Sequence, residues 1–348
     1  MDRYDESLLM KVGICISLMF ISIIIFLYVG VDVNFSKLFN KEQNKHNEVV
    51  GNINIENTIV SENIQVETEG RVVITLPGGV SEKNISVTKE IINKRIVIAF
   101  PKGAGDYDNS KIQNGAEVLK NMDINVSDVM VKLDMALGSV RDCKISYEHG
   151  KMMIDFFDIS KVESPVIVID SGHGGSDVGA IENGIYEKNI DLDICKKLKE
   201  MLDSKGILVY YTREDDSYPS VEERVDFANE VMPDLFISIH SNWYDYSDVS
   251  GTSVLYNIKD NSEHGSAWLS EILCEEIVKS SGTTNRGIID GNDIHIVRNS
   301  KSPVALIETG FMSNADDFKL LSSEDGQRKI AEGIYNGIIR SLTELGKY

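Results

Sequence analysis

The stretch Val166–Gly175, Val-Ile-Val-Ile-Asp-Ser-Gly-His-Gly-Gly, constrains the fold of this chain more than any other. Five residues of strand character run straight into a glycine-rich turn. A short apolar run bounded by turn residues is the pattern of a buried parallel strand. In open α/β sheets the ligand crevice lies beyond the carboxyl ends of such strands. His173 stands in that turn between Gly172 and Gly174, which let the backbone fold closely behind the imidazole.

The texture after Ser164 supports this reading. Glu187 to about Ser204 repeats Ile190, Ile194, Leu198 and Leu202 on one helical face, with Gly206 closing the helix. Ile207–Tyr211 reads as a strand. Val221–Val231 reads as a helix, with Ser220 and Glu223 as a capping box. Leu235–Ile239 and Thr252–Tyr256 read as strands, Ser266–Ser280 as a helix, Val304–Ile307 as a strand and Asp325–Leu345 as a final helix. Asn314 reads as the cap of a short helix before it. Such alternation predicts an α/β fold, a mostly parallel sheet with helices on both faces.

The preceding region, residues 57–160, has a different texture. Short β-branched runs (Arg71–Leu76, Arg95–Phe100, Val129–Met135, Lys144–Tyr147, Lys151–Phe157) alternate with glycine- and proline-rich turns. They predict a small all-β domain, a sandwich with a hairpin turning at His149-Gly150. Residues 34–56 are polar and read as a linker. Val12–Val31 is an uncharged run of 20 residues, long enough for one transmembrane helix. No Ala-x-Ala cleavage pattern follows it, so the expectation is an uncleaved signal anchor. Four segments result: residues 1–33 as a cytoplasmic tip and anchor, 34–56 as linker, 57–160 as the β domain and 161–348 as the α/β domain.

Charge narrows the partners. A formal net charge of −20 over 348 residues argues against nucleic acid, whose phosphates need clustered Lys and Arg. An anionic polymer would equally have to be held by specific contacts. The four cysteines (Cys15, Cys143, Cys195, Cys274) have no C-x-x-C spacing and read as isolated thiols, not as a zinc ribbon or redox pair.

The polar residues at the predicted strand ends carry the chemistry. His173 follows the first strand, His240 follows Leu235–Ile239, Glu308 follows Val304–Ile307, and Glu187 opens the helix after the His173 loop. Parallel strand ends share one sheet edge, so the four side chains can converge. Two imidazoles and a carboxylate are a ligand set for a catalytic zinc with an open position, and another carboxylate can take a proton from water. His264, in a polar stretch, reads as solvated. His295 alternates with Ile294 and Ile296 and is a candidate to line the site.

From Pro165 to Leu342 the sequence resembles the zinc-dependent N-acetylmuramoyl-L-alanine amidases of the Amidase_3 type. The resemblance rests on Ile169–Gly175, Glu187-Lys188, Thr212-Arg213, Glu223-Arg224, Ala228-Asn229, Ser238–Asn242, Asn285–Gly287 and Pro303–Asn314. The family usually carries Pro where Ser171 stands and often Ala where Ser241 stands. The resemblance implies Zn²⁺ on His173, Glu187 and His240, and Glu308 as the catalytic carboxylate. It implies peptidoglycan as substrate, cut at the amide between N-acetylmuramic acid and L-alanine. The β region resembles the AMIN-type domains that precede some of these enzymes, with wall glycan or a protein as its partner. Arg286, His295 and Asn242 are the candidate substrate contacts, and Arg213 and Arg224 read as structural. An exported catalytic domain would place the chain in the cell membrane through its single helix, facing the wall. A zinc peptidase acting within the stem peptide and a non-catalytic wall-binding regulator are the alternatives. No extra helix stands out between His240 and Glu308, so no built-in plug over the site is expected.

Overall fold

The computed structural model describes residues 64–66, 70–103, 118–203 and 205–348. The expected transmembrane run and linker lie outside these residues. Among the described residues no helix is long and apolar enough to cross a membrane.

The β-rich region forms two four-stranded antiparallel sheets. Its strands are β1 (Ile64–Val66), β2 (Arg71–Thr75), β3 (Ser86–Glu90), β4 (Arg95–Pro101), β5 (Leu119–Val126), β6 (Met130–Leu137), β7 (Arg141–Glu148) and β8 (Lys151–Asp158). The orders are β1-β2-β8-β7 and β3-β4-β6-β5. Inward residues of both sheets, among them Ile74, Ile98, Phe100, Leu133, Met135 and Ile154, share one apolar core. The hairpin does turn at His149-Gly150, both with positive φ (49° and 74°). β3 and β5 escape the sequence reading for a physical reason. β3 is half-exposed and polar, and a bulge between Leu119 and Asn121 breaks the two-residue alternation of β5.

The α/β region comprises β9 (Val166–Ser171), the short pair β10 (Ile181–Glu182) and β11 (Ile185–Tyr186), α1 (Glu187–Leu202) and β12 (Leu208–Tyr211). Then come α2 (Val221–Val231), β13 (Leu235–Asn242), β14 (Thr252–Tyr256), α3 (Ser266–Ser281), β15 (Asn285–Asp290), α4 (His295–Asn299), β16 (Val304–Phe311), α5 (Ala315–Leu321) and α6 (Glu324–Glu344). The main sheet has the order β12-β9-β13-β16-β14-β15. Successive strand residues face opposite layers. Ile167, Ile169, Ile237 and Ile307 pack with α1, α3 and α6, while Val168, Phe236, Val304 and Leu306 pack with α2 and α4. Ser220 and Glu223 form the expected capping box of α2, and Asn314 accepts hydrogen bonds from the Asp316 and Asp317 amides at the start of α5.

The sheet is less uniform than expected. β12, β9, β13 and β16 run parallel, but β14 is antiparallel to β16. The connection from β13 to β14, residues 243–251, holds no helix. A parallel crossover needs a dozen or more residues and usually a helix, so the chain returns antiparallel. β14 and β15, joined through α3, are parallel to each other.

The β-rich and α/β regions are in direct contact. Ile91, Val140 and Ile159 enter the cluster formed by Val166, Val168, Tyr210 and α2. Lys94 Nζ pairs with Glu230 at 2.5 Å, the Val140 amide donates to the same carboxylate, and the Tyr210 hydroxyl donates to Asp142 at 3.1 Å.

Candidate active site

Four parallel strands end on one edge, and there the strands extend further than their apolar runs. His240 lies within β13 and Glu308 within β16, not beyond them, and the two are register partners on adjacent strands. His173 sits two residues past the end of β9 with φ 57°, in the left-handed region that non-glycine residues rarely adopt. Glu187 is the first residue of α1, where the helix dipole favours a carboxylate.

These elements bring three donor atoms together. His173 Nε2 lies 3.0 Å from Glu187 Oε1, and His240 Nδ1 lies 3.2 Å from the same oxygen. The imidazoles meet edge to face with ring centroids 4.9 Å apart. The other ring nitrogen of His173 faces Asp177 Oδ2 at 2.9 Å, an orientation that presents Nε2 to the cluster. Glu187 Oε2 accepts the Ala180 amide at 2.8 Å, which leaves Oε1 facing the imidazoles. Backbone closeness is required here. A Cβ on Gly172 would stand 2.5 Å from His240 Cε1, and one on Gly179 (φ 64°) would stand 2.5 Å from Glu187 Oε2.

One member of the cluster escapes the sequence reading. Asp191, one helical turn after Glu187, is fully buried, and its carboxylate belongs to the same group of potential metal donors. The i, i+4 spacing on α1 is the signal that could have found it. Its Oδ1 accepts the Ser241 hydroxyl at 3.0 Å, so Ser241 is tied into the site. Thr309 carries the network on by donating to the His240 carbonyl.

The charges are arranged unevenly. Burial opposes ionisation of Glu187, but the hydrogen bonds of His173 and His240 override it and hold this carboxylate well below the usual range. Burial, reinforced by the charge of Glu187, pushes Asp191 well up. Burial pushes Glu308 up to about 7, and its Oε2 has no partner. Buried polar atoms without partners are uncommon in folded proteins. Here they mark an unsatisfied carboxylate beside the donor set.

Zinc bonds of about 2.1 Å give tetrahedral edges of about 3.4 Å. The donor separations, the nitrogen-and-oxygen chemistry and the carboxylate poised on His173 all fit such an ion.

Two buried arginines hold the loop that carries His173. Arg224 donates to Asp170 Oδ1 at 2.7 Å and to the carbonyls of Ser171 (2.5 Å), His173 (2.6 Å) and Pro219 (2.9 Å). Arg213 donates to the carbonyls of Ser171, Gly172, Lys188 and Asp215. Asp170 also accepts the hydroxyls of Thr212 and Ser238, both at 2.6 Å. Burial opposes its ionisation, and Arg224 with these hydroxyls overrides that and lowers its pKa. Asp170 is thus a hub that the sequence reading quoted but gave no role.

The substrate candidates divide. Asn242 ends β13 at the rim, and its carbonyl accepts the Met312 amide. Arg286 is the second residue of β15, near the same edge, its guanidinium over the Phe311 ring at 5.3 Å from the centroid and bonded to the Ser250 carbonyl. His295 opens α4, beyond the carboxyl end of β15 and before the amino end of β16. That is the edge opposite His240 and Glu308, because β15 runs antiparallel to β16. His264 packs against Trp268, ring centroids 4.9 Å apart, and among the described residues it joins no donor cluster.

An open α/β sheet that gathers two imidazoles and several acids at one carboxyl edge defines a hydrolase-type site with room for a divalent ion. Residues 167–340 match the family described as N-acetylmuramoyl-L-alanine amidase, Amidase_3, and the chain belongs to that family. It is 36% identical to the uncharacterized protein YqiI of Bacillus subtilis over 51% of this chain and 84% of that one. It is 34% identical to the N-acetylmuramoyl-L-alanine amidase LytC of the same organism over 52% of this chain, spanning 37% of LytC. Among solved structures, an N-acetylmuramoyl-L-alanine amidase from Clostridium difficile 630 superposes with a TM-score of 0.50 at 32% identity, covering 52% of this chain and 98% of that one.

Proposed function

We propose that this chain is a zinc-dependent cell-wall hydrolase that cuts the amide between N-acetylmuramic acid and L-alanine of peptidoglycan. The observation that carries the reading is the convergence of His173 Nε2, His240 Nδ1 and Glu187 Oε1 beside Glu308, whose Oε2 is buried without a hydrogen-bond partner. His173, Glu187 and His240 would hold the ion. When bound, zinc supplies the Lewis acidity that makes water a usable nucleophile and an amide carbonyl a better electrophile.

The chain's own residues do the rest. Glu308 sits beside His240 on the neighbouring strand, with a proton affinity that burial raises to about 7. A carboxylate in that place can take a proton from water and return it to the leaving alanine nitrogen. Asp177 stands within 2.9 Å of His173 Nδ1, and Arg213 and Arg224 hold the loop that carries the ring. Arg286, over the Phe311 ring near the same edge, offers a planar guanidinium for a stem-peptide carboxylate.

The rest of the chain completes the proposal. Val12–Val31 would anchor the protein in the cell membrane with residues 161–348 on the wall side. Residues 57–160, the AMIN-like β domain, would hold wall glycan or a protein partner.

Metal analysis of the full chain with digestion of defined muropeptides tests the reading. Stoichiometric zinc and release of intact stem peptides from muramic acid are expected. Release of single amino acids would favour a peptidase instead, and absence of both zinc and hydrolysis would favour a wall-binding regulator.

A further inference from the structure

The loop that follows His240 has a composition the reaction chemistry leaves unused. It reads Trp243-Tyr244-Asp245-Tyr246, and all three aromatic side chains stand in solvent, at 45%, 49% and 66% exposure. Single exposed apolar residues are ordinary, but three exposed aromatics within four positions are a concentration of the kind that marks recognition. The rings of Tyr244 and Tyr246 lie 5.6 Å apart at 47°.

The loop is also held in place from both flanks of the site. The Trp243 amide donates to its neighbour Asn242 Oδ1 at the end of β13. The Tyr244 amide donates to Ser313 Oγ at 3.1 Å, and Asn314 Nδ2 donates to the Ser247 carbonyl at 2.7 Å. Ser313 and Asn314 directly follow β16, the strand of Glu308. The aromatic patch is therefore tied to the strand ends that carry His240 and Glu308, and a ligand lying on it pays little for ordering the loop.

The partner must suit an exposed aromatic surface on a chain of net charge −20. An anionic lipid surface or an acidic peptide would meet repulsion. A sugar ring presents an uncharged face of C–H groups, which an aromatic ring covers through dispersion and apolar burial while the phenol and indole polar groups reach its hydroxyls. We infer that Trp243, Tyr244 and Tyr246 form a sugar-stacking subsite that carries the glycan strand of the substrate past the reacting amide. The inference rests on the amidase reading, because the amide in question joins a sugar to a peptide and its glycan must leave along one wall of the site.

Intrinsic fluorescence gives a test independent of catalysis. The chain has two tryptophans, and Trp268 is held on α3 by Glu344 through its indole N–H. Titration of the full chain with N-acetylglucosamine oligomers should give saturable quenching or a blue shift, tighter for the tetramer than for the dimer. Trp243→Phe should remove the signal, and the Tyr244→Ala/Tyr246→Ala variant should weaken tetramer binding about tenfold. In hydrolysis assays the KM for long uncrosslinked glycan should rise about tenfold in Trp243→Ala, and clearly less for a single muramyl peptide. A fluorescence response that persists in Trp243→Phe, a response to lipid vesicles but not to sugar, or an equal loss on long and short substrates would overturn the subsite. If oligomers perturb Trp243 while no peptidoglycan is cut, the hydrolase reading fails and the sugar site stands. If hydrolysis is normal and Trp243→Ala matches the parent on both substrates, the subsite fails and the hydrolase stands.

Discussion

Replacing Arg224 by methionine tests the idea that the His173 loop is held by a buried ion pair. Arg224 and Asp170 are both buried, and the guanidinium makes four hydrogen bonds, three of them to backbone carbonyls. Removing one partner of a buried pair leaves an uncompensated charge, at a cost of roughly 3–5 kcal/mol. At about 2–4 °C per kcal/mol for a domain of this size, Tm should fall by roughly 6–20 °C. The pH dependence identifies the cause. In the parent, Asp170 has a depressed folded pKa, so its contribution is present above the unfolded value and is lost as pH falls through the folded one. Without Arg224, burial should raise the folded pKa of Asp170 instead, so the variant gains relative stability as pH falls toward the unfolded value near about 4. The gap between parent and variant should therefore be largest near neutrality and narrow in acid, as read by thermal unfolding from pH 7 to pH 4.5. Zinc affinity should fall as well, because the His173 carbonyl loses its donor. A gap that does not change with pH would refute the argument, as would additive losses in the Asp170→Asn/Arg224→Met double variant.

Further expectations follow from the same geometry. Glu308→Gln should keep zinc, measured by elemental analysis, while kcat falls by roughly two to four powers of ten. Chelation should abolish hydrolysis and lower Tm, and zinc in hundredfold excess over its Kd should restore about 2.7 kcal/mol, seen as a concentration-dependent Tm. Gly179→Ala should lose metal affinity and stability together, because the new Cβ meets Glu187 and His173 at a backbone position of φ 64°. Metal titration and thermal unfolding of the variant measure the two.

The candidate site was legible because strand ends and helix starts leave marks in the sequence. Val166–Asp170 and Leu235–Ile239 are apolar runs that stop at polar residues, and those residues proved to be neighbours. What stayed hidden depended on partners remote in sequence. The reversal of β14 follows from a connection too short for a crossover, and a strand's own residues do not state its direction. Asp191 lies on the face of α1 that carries Glu187, a spacing that marks it only once Glu187 is known to face the site. His295 is flanked by Ile294 and Ile296, but these straddle the start of a short helix, Ile294 as its exposed N-cap and Ile296 buried, which two flanking residues cannot tell from a strand. The arginine contacts were invisible because most of their acceptors are peptide oxygens, which every residue has.

That choice of acceptor bears on how the loop can change over generations. Arg213 and Arg224 grip the carbonyls of residues 171, 172 and 173 and none of their side chains. Position 171 is thereby released from the duty of shaping the turn, and its side chain is not what places the histidine two residues on. The scaffold writes the bend into the main chain from outside, and leaves the letters within it freer to drift.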